Sequence, residues 1–155
     1  MRKNSNPAHL ILWRHADAEV GLADSARQLS SRGRKQAARM AHWLSARLPE
    51  DYRLIASPAV RAQQTARALT AKFLTSPDLA VDASAAGILA AIEWPGCGGT
   101  TLIVGHQPSL GRLAALLLAE RDESWNIRKG ALWWLRQNKQ ESGVLIRTVV
   151  DPDLL

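Results

Sequence analysis

Short apolar runs alternate with longer segments of helical periodicity along most of this 155-residue chain. The first run covers residues 9–13, and similar runs follow at residues 53–57 and 100–104. Short runs of this kind, bounded by loop segments, are typical of strands that are buried on both faces. We therefore predict three such strands, and a shorter one at residues 79–81.

The segments between these strands carry apolar residues at helical spacing. We predict four helices, over residues 30–47, 59–73, 85–92 and 108–119. The first begins at a serine pair, whose hydroxyl groups can accept bonds from the free N–H groups of a helix start. The last begins at a proline, whose missing N–H costs nothing in the first turn of a helix.

Two further strands are predicted near the end of the chain, over residues 131–136 and 144–150, as an antiparallel hairpin at one edge of a sheet. Alternating strands and helices imply a mostly parallel sheet with helices on both faces. We therefore predict an α/β fold, a three-layer sandwich. The length suits one domain over residues 1–155, with its core at about residues 9–150.

Composition excludes several classes of function. The formal net charge of +6 permits acidic partners, but the basic residues are scattered, so we expect no nucleic-acid partner. No apolar run approaches the roughly 18 residues that span a bilayer, so we expect no membrane partner. No paired spacing of histidine and cysteine suggests a metal site, and we expect no cofactor. A single cysteine, Cys97, fits a reducing, cytoplasmic location.

The ends of the predicted strands carry the residues that suggest chemistry. Arg14 and His15 end the first strand, Arg61 follows the second, and His106 ends a later one. Ligands of open α/β sheets collect outside the carboxyl ends of the strands, so we expect these side chains at one site. Guanidinium groups bind phosphate oxygens, and a neutral imidazole nitrogen can attack phosphorus. The four residues therefore predict an anion site with a nucleophile.

Three segments resemble the histidine phosphatase superfamily, the proteins with a phosphoglycerate mutase-like fold. These segments are Leu12-Trp13-Arg14-His15-Ala16, Ser57-Pro58-Ala59-Val60-Arg61-Ala62-Gln63-Gln64-Thr65-Ala66 and Val104-Gly105-His106-Gln107-Pro108. The resemblance implies that His15 is phosphorylated during turnover. It also implies that Arg14, Arg61 and His106 surround and bind the phosphate.

Two departures from the family pattern narrow the expected substrate. Ala16 stands where many members have glycine, and it is followed by Asp17. The glutamate that usually protonates the leaving oxygen has no clear counterpart, because the carboxylates between the second and third motifs are Asp78, Asp82 and Glu93. Expelling an alkoxide without an acid is hard, whereas imidazole leaves more easily because it can be protonated in water. A compact chain without this acid resembles the SixA-type phosphohistidine phosphatases.

The sequence thus predicts a metal-independent phosphatase whose preferred substrate is a phosphohistidine on a partner protein, such as the phosphotransfer domain of a signalling relay. Two alternatives stay open: a phosphatase of small phosphate esters, and a non-catalytic module that binds phosphate. Asp17 also has two interpretations. It is either an accessory residue that positions water or a proton, or a loop-capping residue.

Overall fold

The computed structural model describes residues 6–155, and residues 1–5 of the predicted domain lie outside the described part. Its strands are β1 (His9–Arg14), β2 (Arg53–Ala56), β3 (Leu74–Thr75), β4 (Thr100–Gly105), β5 (Leu132–Gln137) and β6 (Val144–Val150). They form one sheet in the order β3-β2-β4-β1-β5-β6. The first four strands in this order run parallel, whereas β5 is antiparallel to both β1 and β6. The mostly parallel sheet and its terminal hairpin are therefore confirmed.

Helices cover both faces of this sheet. They are α1 (Ser31–Ser45), α2 (Val60–Leu69), α3 (Ala85–Ile92) and α4 (Ser109–Ala119). Met40 of α1 and Ala62 of α2 belong to one apolar cluster, and Ile88 of α3 and Leu113 of α4 belong to another. The predicted three-layer α/β sandwich is thus confirmed. No helix within residues 6–155 combines the length and the apolar character that crossing a membrane requires.

The strand β1 shows why the central strands are apolar at nearly every position. Leu10 and Leu12 belong to the cluster with α3 and α4, whereas Ile11 and Trp13 belong to the cluster with α1 and α2. Successive side chains of a strand point to opposite faces of the sheet, and both faces are covered here. Burying each of these side chains stabilises the fold by roughly 1.5–3 kcal/mol.

The helix predicted to reach Phe73 is too long, because α2 ends at Leu69. The next residue, Thr70, has an extended backbone and starts the turn that leads into β3. Phe73 and Leu69 still pack at the edge of the apolar cluster under α2. The position of Phe73 therefore matches the helical spacing of apolar residues, although this residue lies beyond the end of α2.

The strand predicted at residues 79–81 is wrong. Residues Pro77–Leu79 form a short 3₁₀-helix, with Ser76 at its cap and the proline at its start. The strand beside β2 lies a few residues earlier, at Leu74–Thr75. Leu79 is buried in the cluster with α3 and α4, so its apolar character reflects burial within a turn.

Gly33 allows α1 to pack directly against the loop that follows β1. A Cβ atom at Gly33 would lie 1.8 Å from the carbonyl oxygen of Asp17 and 2.8 Å from its carbonyl carbon. Both are backbone atoms, so no side-chain movement could relieve the overlap. This contact fixes the loop that carries the residues immediately after His15.

Gly33→Ala is expected to lower the free energy of unfolding by about 1–3 kcal/mol, the range for inserting a group into a filled space. The direction is informative, because alanine is ordinarily more favourable than glycine inside a helix by about 1 kcal/mol. Urea denaturation of the variant measures the change. Gly96→Ala is the control, since a Cβ there would meet its nearest neighbour at an ordinary 3.6 Å. Equal stability of Gly33→Ala and the natural chain would contradict the packing argument.

Candidate active site

The strands β1 and β4 deliver two histidines to one point. Arg14 pairs with Gly105 in parallel register, so His15 and His106 emerge side by side as the next residues. The N–H of His15 donates to the carbonyl oxygen of Gly105 at 3.0 Å, which extends the pairing by one residue. The centroids of the two imidazole rings lie 5.1 Å apart, and both side chains are buried. The register of the sheet therefore places the two histidines together.

The helix α2 brings Arg61 to the same point from its first turn. Its Nε donates to Nε2 of His15 at 3.3 Å, and its Nη2 lies 3.3 Å from Nδ1 of His106. Thr65, one turn later, accepts a bond from the N–H of Ala16 at 3.1 Å and donates to the carbonyl oxygen of Arg61 at 2.8 Å. This threonine ties α2 to the loop after β1, and the buried guanidinium is thereby held against both rings.

Arg14 completes the predicted set. Its Nη1 donates to the carbonyl oxygen of Ile127 at 2.8 Å, whereas its buried Nε has no hydrogen-bond partner within residues 6–155. Burial, and then the neighbouring Arg61, lower the pKa of Arg14, but a guanidinium stays charged in proteins. A buried donor without a partner costs roughly 1–3 kcal/mol, which an anionic oxygen would recover. Arg14, His15, Arg61 and His106 all line one pocket of about 240 Å³.

The hydrogen bonds of His15 determine which ring nitrogen is available for attack. Its Nδ1 lies 2.8 Å from the carbonyl oxygen of Ala16. A carbonyl oxygen only accepts, so Nδ1 carries the proton, and in the neutral ring Nε2 holds the lone pair that faces Arg61. Burial lowers the pKa of His15 to about 3; the bond to Ala16 opposes this change, whereas the positive groups nearby add to it. His15 is therefore neutral at neutral pH, the state that a nucleophile requires.

His106 is neutral as well, because burial and then the charge of Arg61 lower its pKa to about 4. Arg61 donates to its Nδ1, so the proton of the neutral ring lies on Nε2 and is donated to Oγ of Ser57 at 2.7 Å. Ser57 follows β2, and its N–H donates to the carbonyl oxygen of Val104 at 3.0 Å. Sequence analysis assigned no role to Ser57, whose hydroxyl group orients His106.

A carboxylate that sequence analysis did not single out lies at the edge of the pocket. Asp24 accepts bonds from Arg61 through its carbonyl oxygen at 2.8 Å and its carboxylate at 3.2 Å, and it pairs with Arg27. Slight burial raises the pKa of Asp24, but the bonds from Arg61 and Arg27 outweigh it and hold this pKa below its usual value. Asp24 precedes α1 in a segment without helical or strand periodicity, so no pattern pointed to it.

Asp24 is the one carboxylate among the described residues that line this pocket. The three carboxylates between the second and third motifs lie outside the lining: Asp78, Asp82 and Glu93. An ionised carboxylate held by two arginines accepts hydrogen bonds and is poorly suited to donate a proton at neutral pH. Residues 6–155 contain no group of three or more histidine, cysteine, aspartate or glutamate side chains placed to hold a metal ion.

Asp17 lies beside the pocket rather than in its lining. Its carboxylate accepts bonds from the hydroxyl of Ser30 at 2.6 Å and from Nζ of Lys129 at 3.3 Å. Ser30 is the N-cap of α1, and its bond is the main reason that the pKa of Asp17 is lowered. These contacts are those of a loop-capping residue. An accessory role for Asp17 in catalysis stays a prediction.

Residues 10–84 match the family model described as the histidine phosphatase superfamily (branch 1). The match covers 75 of the 155 residues of the chain, including Arg14, His15 and Arg61. The resemblance predicted from the three segments is therefore confirmed, and with it the expectation that the chain is a phosphatase, a hydrolase. No curated protein sequence matches the chain.

Solved structures share the fold over nearly its whole length. A SixA protein of Nakamurella multipartitia covers 96% of this chain and 98% of its own, with 24% identity and a TM-score of 0.82. The protein histidine phosphatase SixA complexed with tungstate covers 94% and 98%, with 21% identity and a TM-score of 0.81. The alpha-ribazole phosphatase of Shigella flexneri covers 93% and 96%, with 18% identity and a TM-score of 0.76. Likeness at these identities shows the fold alone.

The imidazole rings of His15 and His106 are expected to stay neutral when the pH falls from about 8 to about 5. Their pKa values of about 3 and about 4 lie below this range, because burial disfavours the charged ring. In an NMR titration the ring carbon shifts of both residues should therefore stay constant. His15→Gln and His106→Gln variants assign the signals. A shift of either ring centred near pH 6.5, the unperturbed pKa of histidine, would contradict the expectation.

Proposed function

We propose that this chain is a phosphohistidine phosphatase that acts through a phosphorylated intermediate on His15. The observation that carries the proposal is a buried, neutral imidazole whose Nε2 faces Arg61, in a pocket that Arg14 and His106 also line. A nucleophile is thus positioned among permanent positive charges. This combination suits attack on a phosphoryl group.

In the first step Nε2 of His15 attacks the phosphorus atom of the substrate. A bond forms between this nitrogen and phosphorus while the bond from phosphorus to the substrate imidazole breaks. The electron pair of that bond leaves on the imidazole nitrogen, which is protonated beforehand or by water. Arg14 and Arg61 donate to the phosphoryl oxygens and stabilise their charge in the transition state, which is the main contribution of a protein to phosphoryl transfer.

In the second step a water molecule attacks the phosphorus atom of the phosphorylated enzyme. The bond between phosphorus and Nε2 breaks, and its electron pair returns to His15. Inorganic phosphate leaves, and the proton of the water passes to the phosphate or to the solvent. Dividing hydrolysis in this way replaces one difficult step with two easier ones. The bond from Nδ1 to Ala16 holds the ring in the same orientation throughout.

The absence of a general acid from the described pocket lining favours phosphohistidine as the substrate class. Asp24 is held ionised by Arg61 and Arg27. Phosphate esters release an alkoxide, which needs a proton in the transition state, whereas the imidazole of phosphohistidine can be protonated in water. The SixA structures have the same fold, and one is described as a protein histidine phosphatase. A cytoplasmic location is part of the proposal and rests on one free, exposed thiol, Cys97.

Small phosphate esters are the second candidate substrate class. The fold is shared with the alpha-ribazole phosphatase of Shigella flexneri, and the pocket of about 240 Å³ has room for a phosphoryl group and a small attached group. Hydrolysis of esters without hydrolysis of phosphohistidine would support this candidate. A non-catalytic module has no observation in its favour, since all four predicted residues meet at the pocket.

The natural chain is expected to release phosphate from a phosphohistidine-bearing protein in the presence of a chelator. His15→Ala is expected to release none, because the only proposed nucleophile is removed. Phosphate release is followed by a colorimetric assay, with a panel of phosphomonoesters measured in parallel. Turnover of similar rate by His15→Ala would rule out the proposed mechanism. Loss of activity on addition of chelator would contradict its independence of metals.

Arg14→Ala and Arg61→Ala are each expected to lower kcat/KM on the order of 10³-fold, equivalent to about 4 kcal/mol of transition-state stabilisation. The reason is that each removes a permanent charge from the phosphoryl oxygens. Arg39→Ala is the matched control, since Arg39 is exposed on α1 away from the pocket, and its activity should not change. Steady-state kinetics of the three variants measure the effects. Losses below about tenfold at both pocket arginines would contradict their proposed role.

A further inference from the structure

A loop formed by residues 18–29 lies beside the pocket, and we call it the rim loop. An antiparallel bridge between Ala18 and Leu29 joins its two ends. Next to this bridge, the N–H of Glu19 donates to the carbonyl oxygen of Gln28 at 2.8 Å. The base of the rim loop is therefore closed like that of a hairpin, and residues 19–26 between its ends are exposed.

The pocket side of the rim loop is attached to the proposed catalytic machinery. The carbonyl and carboxylate oxygens of Asp24 both accept bonds from Arg61. Arg27 pairs with Asp24 at 3.1 Å, and its Nη1 donates to the carbonyl oxygen of Glu19 at 3.3 Å, across the loop. Ala18, Asp24 and Arg27 also line the pocket itself. The loop is thus tied both to its own base and to the phosphate-binding arginine.

The tip of the rim loop presents two large apolar side chains to solvent. Val20 and Leu22 have 100% and 110% of their reference surface exposed, the highest values for large apolar side chains within residues 6–155. Between and after them stand Gly21 and Ala23, so the tip has no charged side chain. Single exposed apolar residues are ordinary on protein surfaces. Two of them on one loop, other residues of which line a pocket, are placed to contact a molecule that approaches this pocket.

The size of the pocket indicates what that molecule is. A volume of about 240 Å³ accommodates a phosphoryl group and the imidazole that carries it, but not the protein surface around them. For a protein-borne phosphohistidine to reach Nε2 of His15, the surrounding surface must lie against the edge of the pocket. The rim loop forms part of that edge, because Ala18, Asp24 and Arg27 line the pocket, and its tip is fully exposed to solvent. A protein substrate would therefore come close to the exposed Val20 and Leu22 of the rim loop, whereas a small phosphoryl compound need not.

We propose that Val20 and Leu22 dock the protein substrate by contacting an apolar patch next to its phosphohistidine. This inference rests on the proposed phosphohistidine phosphatase activity and adds the surface that selects a protein over a small compound. Burial of the two side chains in the complex removes apolar surface from water and so favours association. Docking of this kind acts on the affinity for the substrate and leaves the chemistry at His15 unchanged.

The test compares two substrates, a phosphohistidine-bearing protein and free phosphohistidine, with the double variant Val20→Ser/Leu22→Ser. We expect KM for the protein to rise about tenfold with kcat nearly unchanged, and both constants for free phosphohistidine to stay the same. Leu145→Ser/Ile146→Ser is the matched control. These two partly exposed apolar residues lie on the outer strand β6, toward the opposite end of the sheet, and their replacement should alter neither substrate.

Each other outcome would overturn the docking surface for a distinct reason. Unchanged constants for both substrates would show that the tip makes no contact, while the phosphatase activity stands. Equal losses with both substrates would show that the tip acts on the pocket through Asp24 and Arg61. If sedimentation velocity showed that the natural chain is a dimer and the double variant is a monomer, the tip would instead contact a second copy of the chain. If the natural chain did not hydrolyse the phosphoprotein but hydrolysed small esters, both the proposed function and the docking surface would be refuted.

Discussion

The hydrogen bond from Nδ1 of His15 to the carbonyl oxygen of Ala16 is the interaction on which the site depends. It fixes the ring and its tautomer, so that the lone pair of Nε2 points at Arg61. Burial keeps this ring neutral beside two arginines. The same burial leaves Nε of Arg14 without a partner within residues 6–155. A pocket of concentrated positive charge is costly when it is empty, and an anion with several oxygens offsets that cost.

The fold makes this interaction possible because the adjacent parallel strands β1 and β4 end at the same edge of the sheet. The pairing of β1 with β4 sets His15 beside His106, and α2 brings Arg61 between them. Two packing details then hold the loop after β1. Thr65 bonds its backbone to α2, and Gly33 lets α1 approach it without a side chain between. The chemistry thus depends on backbone registers and close contacts rather than on a dedicated binding domain.

Most of the fold and the four central residues could be predicted from the sequence, because both follow from local patterns. Apolar runs predict buried strands, and residues that end parallel strands share one edge of the sheet. Asp24 and Ser57 could not be assigned roles, since these depend on tertiary contacts with Arg61 and His106. The wrong prediction of a strand at residues 79–81 has a similar cause. Apolar residues indicate that a segment is buried, but pairing with β2 is a tertiary contact, and residues 74–75 make it instead.

The central claim is that phosphate passes through a covalent bond to His15, and rapid quenching of a reaction with a radiolabelled phosphohistidine substrate tests it most directly. We predict a labelled enzyme within the first turnover, with the label lost in acid and retained in alkali, as a phosphorus–nitrogen bond requires. Peptide mapping should place the label on His15. Full turnover without a labelled enzyme, or a label on another residue, would contradict the account.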